Sequence, residues 1–178
     1  MKSRIPALIT TAAAFLLAGA FASAARPADL PASLGPNLAL KKSFECSEPN
    51  QHKWGTGATD GSWEGKRGKT FSTGNAQKFP KTLTIDLQTS QEISHVLVGT
   101  PSFGSTKGIT VSISANGQDY TNIGSNDFAL GREDSHLFKF KPAKARYVRL
   151  TFTGNHAEKA GKYATGNCFV TEVEVYGR

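Results

Sequence analysis

Trp54 and Trp63 are the only two tryptophans of the chain, and both stand in one irregular stretch, residues 47–81, away from every apolar run. His52, Lys66, Arg67 and Lys69 flank them. The combination suits a sugar. A flat indole covers the apolar face of a pyranose, while imidazole, ammonium and guanidinium groups donate to hydroxyls or pair with carboxylate and sulfate. Tryptophans are more often core than platform. Neither indole has apolar neighbours in local sequence, however, which points one of the two toward solvent. The basic residues read equally well as a solvated loop. Phe103, within Pro101-Ser102-Phe103-Gly104, and His156 and Tyr163, in a later irregular stretch, are further ligand-binding candidates.

Motifs for catalysis are missing. There is no Gly-x-Ser-x-Gly elbow, no His-Glu-x-x-His and no Gly-x-x-x-x-Gly-Lys-Ser/Thr loop. His95 lies inside an apolar strand run and His136 begins another, so both read as strand residues rather than bases. The sequence therefore points to a binding function with no enzymatic step. Cys46 and Cys168 are the only two cysteines and form no Cys-x-x-Cys pattern. In an exported chain they read as one disulfide or as two separately buried thiols.

Export is the reading of the first 24 residues. Lys2 and Arg4 precede an alanine-rich apolar stretch, Ala7 to Phe21, and Ala22-Ser23-Ala24 offers a cleavage site. The expected location is secreted or periplasmic. Residues 25–36 are rich in Pro and Ala without apolar period and read as a flexible leader. Removing two basic residues from a chain of formal net charge +7 leaves a moderately basic remainder with its charges scattered. Such a charge allows acidic polysaccharide, anionic lipid or nucleic acid as a partner.

The elements that must position these residues are strands. Leu83, Ile85 and Leu87; Ile109, Val111 and Ile113; Val148, Leu150 and Phe152; and Val173 and Val175 each alternate with polar residues. A period of two puts one apolar face on each run. Ile93 to Val98 and Leu137 to Phe140 are less regular runs. Asn116-Gly117 and Asp60-Gly61 supply turns. No convincing helical period is present, so the expected class is all-β, an antiparallel sandwich or barrel.

The order of motifs then carries a resemblance. Asn37-Leu38-Ala39-Leu40 is followed by Ala58-Thr59-Asp60-Gly61 and Thr70-Phe71-Ser72-Thr73. Leu83 to Leu87, Ile93 to Val98, and Ile109 to Ser114 with Asn116-Gly117 come next. Ala145 to Leu150 and Glu172 to Gly177 close the series. The chain over residues 37–178 resembles the coagulation factor V/VIII type C, or discoidin, domains, and is similar to the family 32 carbohydrate-binding modules among them. The resemblance implies a jelly-roll β-sandwich whose ligand loops gather at one end. It implies a lectin-like module binding glycan or polysaccharide, with an anionic membrane or a protein partner as the alternative. Nucleic acid is not expected. It places the first and last strands close together, and so implies a Cys46–Cys168 disulfide. It also implies a structural Ca²⁺, held by the carboxylates of Asp60 and Glu172, the carbonyls of Gly57, Ser62 and Thr171, and the hydroxyl or carbonyl of Thr70. Oxygen ligands on a glycine-loosened loop suit that hard cation. Arg146 and Arg149 fall in the strand framework. Two departures stand out. Ser62 to Lys69 is an insertion and Phe71 replaces a common Trp. The loop Gly99 to Gly104 lacks the His and Arg of galactose-binding relatives, so no sugar identity carries over.

Overall fold

The computed structural model describes residues 30–31, 33–50, 54, 56–156 and 165–177. The expected signal segment, residues 1–24, lies outside them, as do His52 and Tyr163. The described residues form eight strands and no helix: β1 (Phe44–Cys46), β2 (Phe71–Ser72), β3 (Lys81–Thr100), β4 (Gly108–Ser114), β5 (Thr121–Asp127), β6 (Asp134–Phe152), β7 (Phe169–Val170) and β8 (Glu172–Tyr176). Every pairing is antiparallel, as the all-β expectation required.

Two long strands organise the sandwich. β3 runs 20 residues and β6 runs 19. They pair along their whole length, with irregularities between Asp86 and Gln91 and between Ile93 and His95. A break in register bends a strand and lets it leave one layer for another. The first arm of β3 pairs β1, and the facing arm of β6 continues through β4 to β5. The second arm of β3 carries β8 on its free edge, from His95 to Gly99. β2 and β7 form a separate two-stranded ribbon.

Both arms feed one core. Leu83, Ile85, Val111, Val148, Leu150 and Phe152 come from the first layer, and Val96, Val98, Val173 and Val175 from the second, all essentially inaccessible. At about 25 cal/mol for each Å² of apolar surface removed from water, this cluster is the main stabilising term of the fold.

The first and last strands are neighbours of β3 but not of each other, since β1 pairs Leu83 to Ile85 and β8 pairs His95 to Gly99. Asn37 instead ties the start of the domain to β8. Its Oδ1 accepts the Ala39 and Val175 amides at 3.0 and 3.1 Å. The described part of the leader makes a turn, Leu34 N–H to Pro31 O at 3.0 Å.

Candidate functional site

The irregular stretch between β1 and β3 does two jobs, and its two tryptophans are divided between them. Trp54 is half-buried. Its ring meets Phe103 and Phe169, each with centroids 5.6 Å away, and those two rings lie 5.5 Å from each other. Edge-to-face contacts of this kind add to simple burial. Gly104, at φ +93°, lets the Phe103 turn close over Phe169, where a Cβ would overlap the ring. The Trp54 carbonyl accepts the Ser72 amide at 2.8 Å, which anchors its backbone to β2.

Beside this indole lies a cleft of about 470 Å³ whose lining includes Glu48, Asn50, Gly74, Asn75 and Asn167. Asn167 donates to Thr73 O at 2.6 Å and accepts the Thr165 hydroxyl at 2.6 Å; Asn50 donates to the same Thr73 oxygen at 3.3 Å. Glu48 accepts the Ala76 amide at 3.0 Å and the Lys81 ammonium at 2.9 Å. Burial pushes the Glu48 carboxyl up, but the hydrogen bonds from Lys81 and Ala76 and the Lys81 charge outweigh it and hold the group below its ordinary value. The cleft is thus lined by a carboxylate held below its ordinary value and by three asparagines beside Trp54, with Glu48, Asn50 and Asn167 fixed by bonds to the fold.

Trp63, also named as a ligand-binding candidate, is the buried one of the two. It is 9% exposed, and its Nε1 donates to Glu174 Oε1 at 3.1 Å. Its ring lies on Gly99, where a Cβ would overlap it. The Tyr176 hydroxyl donates to the other Glu174 oxygen at 2.6 Å. Trp63 also forms part of the wall of a larger hollow of about 800 Å³, together with Tyr176, Glu174, Leu40 and leader residues Leu30 and Leu34. With its ring edge buried and its N–H committed, that indole offers no stacking face.

The basic residues also part from the aromatic wall. Lys66 pairs with Glu64 at 2.5 Å, Lys69 with Asp60 at 3.4 Å, and Arg67 is exposed. None of them lines the Trp54 cleft. His156 is spent on the fold, its ring Nε2 lying 2.9 Å from Phe128 O and its amide bonding Ser105 O at 2.6 Å. Of the two secondary candidates among the described residues, Phe103 joins Trp54 and His156 does not.

Three of the residues expected to hold a cation, Glu172, Thr70 and Thr171, carry buried oxygens. The Glu172 side chain is fully buried; Oε2 accepts the Gly61 amide at 3.1 Å and Oε1 has no partner. Thr70 Oγ1 and Thr171 Oγ1 are likewise buried without partners. The β2–β7 register, carried one residue on, sets those two threonines opposite each other. Asp60 accepts the Ser62 amide at 2.8 Å and meets Lys69 through its second oxygen. Gly57, at φ +103°, packs so tightly on the 69–71 backbone that a Cβ would lie 2.7 Å from Lys69 O. Burial raises the Glu172 carboxyl to about 8 against the Gly61 hydrogen bond, with the charges of Asp60 and Glu174 adding to it. No cluster of three His, Cys, Asp or Glu side chains suited to a metal exists among the described residues. A cation here would take hydroxyls and carbonyls as well as carboxylates, which fits Ca²⁺ and excludes a zinc-type site. Two orphaned hydroxyls and an orphaned oxygen of the Glu172 carboxylate are a fit for it.

Cys46 and Cys168 are free thiols in this structure, without the disulfide that the resemblance implied. Burial pushes the Cys168 thiol up to about 12, and Cys46 and Lys81 both act on it electrostatically.

Reading the residues alone missed Glu48, Asn50, Asn75, Asn167, Phe169 and Lys81. One signal was available for Lys81: the period-two pattern of Leu83, Ile85 and Leu87, extended back two residues, puts position 81 on the inward face. The asparagines sit in turns, where side-chain amides ordinarily serve the backbone.

The profile of the F5/8 type C domain matches residues 43–173. No curated protein matches the chain. Among solved structures, chitosan-binding module 2 of a chitosanase/glucanase from Paenibacillus sp. IK-5, in complex with chitotriose, is 23% identical, with 79% of this chain and 100% of that chain covered and a TM-score of 0.61. A Clostridium perfringens module in complex with GalNAc-β-1,3-galactose is 18% identical over 76% of this chain and 94% of that one, at TM-score 0.58. A fucolectin from striped bass serum, Morone saxatilis, is 20% identical over 79% of this chain and 48% of that one, at TM-score 0.63. At these identities the likeness is one of fold.

Proposed function

The chain belongs to the F5/8 type C domain family, and on that premise we propose that it is a lectin-like module that binds a glycan in the Trp54 cleft. Domains of this type are jelly-roll binding modules without catalysis of their own, though they often sit within enzymes. The observation that carries the reading is the half-buried indole, braced by Phe103 and Phe169, at the edge of a cleft lined by Asn50, Asn75, Asn167 and Glu48. The indole takes the apolar face of a pyranose. Amides, which both donate and accept, match hydroxyls or an acetamido group, and the carboxylate accepts from hydroxyl or amine. Because the rings and loops are packed before the ligand arrives, binding loses little freedom there. Neighbours solved with chitotriose and with GalNAc-β-1,3-galactose support a saccharide as the ligand class.

The alternative, docking on an anionic membrane or a protein partner, drew on Trp54, Trp63 and the basic residues near them. With the Trp63 ring buried, that loop keeps its charge and has no apolar tip.

We further propose that Ca²⁺ is held by Asp60, Glu172, Thr70 and Thr171 with carbonyls of the 57–62 loop. The support is the trio of partnerless buried oxygens at Glu172, Thr70 and Thr171. Its role is to tie the 57–62 loop to β8. The signal-like first 24 residues support action in the periplasm or outside the cell.

A glycan array with wild type, Trp54→Ala and Trp63→Phe tests the site. The expected result is glycan binding by wild type and by Trp63→Phe, and a loss of roughly tenfold to a hundredfold for Trp54→Ala, as for an aromatic anchor at the centre of an interface. Binding that survives Trp54→Ala, or appears only on anionic vesicles, overturns the reading.

A further inference from the structure

Lys81 opens β3 on its inward face and is 1% exposed. Burying an ammonium is costly unless it is fully paired and hydrogen-bonded. This one is. Its three N–H donors meet Gly74 O at 2.8 Å, Gly166 O at 2.8 Å and Glu48 Oε2 at 2.9 Å. The Phe79 ring lies with its centroid 5.4 Å from the nitrogen.

The three acceptors belong to three separate segments: the stretch after β1, the turn after β2, and the approach to β7. Those same segments bring Glu48 and Asn50, Gly74 and Asn75, and Asn167 to the Trp54 cleft. They are laced to one another as well. Gly74 N–H bonds Glu48 O at 2.7 Å, and Gly166 N–H bonds Asn75 O at 2.9 Å. At Gly166 the approach is so close that a Cβ would overlap the Ala76 carbonyl. The Lys81 nitrogen bonds to all three segments.

We propose that Lys81 is the positioning residue of the cleft, a buried ammonium that fixes three loops in the arrangement that receives the sugar. It touches no ligand itself and acts through Glu48, Gly74 and Gly166. An ammonium turns its three donors in three directions from one nitrogen. A guanidinium spreads its five donors over a larger plane and is not expected to fit the same three acceptors. The inference rests on the Trp54 cleft being the glycan site, and it separates two tasks that one side chain performs: neutralising Glu48 and holding the carbonyls of Gly74 and Gly166.

The test compares wild type, Lys81→Met, Lys81→Arg, Glu48→Gln, and the double variant Lys81→Met with Glu48→Gln. Three quantities are measured: melting temperature, affinity for the best glycan on the array, and amide hydrogen exchange at Gly166 against Ile85 and Leu150. Glu48 lines the cleft and accepts the Ala76 amide, so the double variant is judged against Glu48→Gln alone. Lys81→Met leaves the Glu48 carboxylate without its cation and is expected to melt lower; the double variant removes that charge and recovers part of the melting temperature. Its affinity nevertheless stays roughly tenfold below that of Glu48→Gln, with faster exchange at Gly166, and Lys81→Arg does not restore binding. If the double variant binds within about twofold of Glu48→Gln, Lys81 only neutralises Glu48 and the proposal falls. Unchanged exchange at Gly166 also overturns it. Should wild type bind no glycan, the cleft reading fails by itself, while the exchange data still decide whether Lys81 orders the loops.

Discussion

The Trp63 N–H donates to Glu174, a carboxylate that also holds the Tyr176 hydroxyl, so a residue type associated with sugar stacking here completes a buried polar set. Trp54, eight residues beyond Cys46, is half-buried beside Phe103 and Phe169, at interplanar angles of 57° and 84°. The two positions therefore respond differently to substitution. Trp63→Phe leaves a buried acceptor short of one donor and is expected to cost about 1–3 kcal/mol of stability with glycan affinity unchanged; chemical denaturation and the array check the two halves separately. Asp86 shows a framework role of a different kind. Arg146 meets it with two bonds of 2.8 Å, and that pairing holds its carboxyl below the ordinary value against the opposing effect of burial. Arg149, with its guanidinium 3.6 Å from the Tyr120 ring centroid, serves the same outer sheet face.

At the scale of elements, the cleft depends on how closely loops can approach. Gly166 meets the Ala76 carbonyl with no room for a methyl group, whereas Gly35 faces open space at an ordinary backbone angle. Gly166→Ala is expected to cost about 1–3 kcal/mol as an overpacked site and to weaken glycan binding; Gly35→Ala should stay within about 0.5 kcal/mol and bind as wild type. Melting curves and a binding isotherm on both variants check this. The strands themselves were largely legible. Leu83 to Leu87 and Ile93 to Val98 fall in β3, Ile109 to Ser114 in β4, Leu137 to Phe140 and Val148 to Phe152 in β6, and Val173 to Tyr176 in β8. Two things were hidden. Runs read as separate strands are joined into β3 and β6, because a register break bends a strand without ending it. β5 escaped notice since, as an edge strand paired only to β4, it needs no apolar face, and Ile123 is its one aliphatic residue beyond glycine.

For the whole molecule, the Glu172 carboxyl, buried between β8 and the loop that covers it, sets an expected dependence on pH, and the proposed cation site would add one on Ca²⁺. Glu172 has its carboxyl raised from 4.5 to about 8, chiefly by burial. The folded state then holds a proton that the unfolded chain releases, so in chelator stability is expected to fall as pH rises from about 4.5 to about 8. Added Ca²⁺ should reverse the trend, raising stability by about 2.7 kcal/mol at a hundred times its dissociation constant. Glu172→Gln should be the more stable protein in chelator near pH 8 and gain nothing from Ca²⁺. Calorimetry with and without the cation at two pH values checks all three outcomes; a wild type indifferent to Ca²⁺ at both sinks the cation site. The alternation of Val173 and Val175 with Glu172, Glu174 and Tyr176 determined by itself that β8 is a strand with one apolar face, because the period is local to the backbone. That its polar face is also buried, beneath Gly61 and Trp63, was decided only by tertiary structure. So was the meeting of Glu48, Gly74 and Gly166 around Lys81. Such contacts join residues far apart in the chain, and nothing in the local pattern of either partner records that the other covers it.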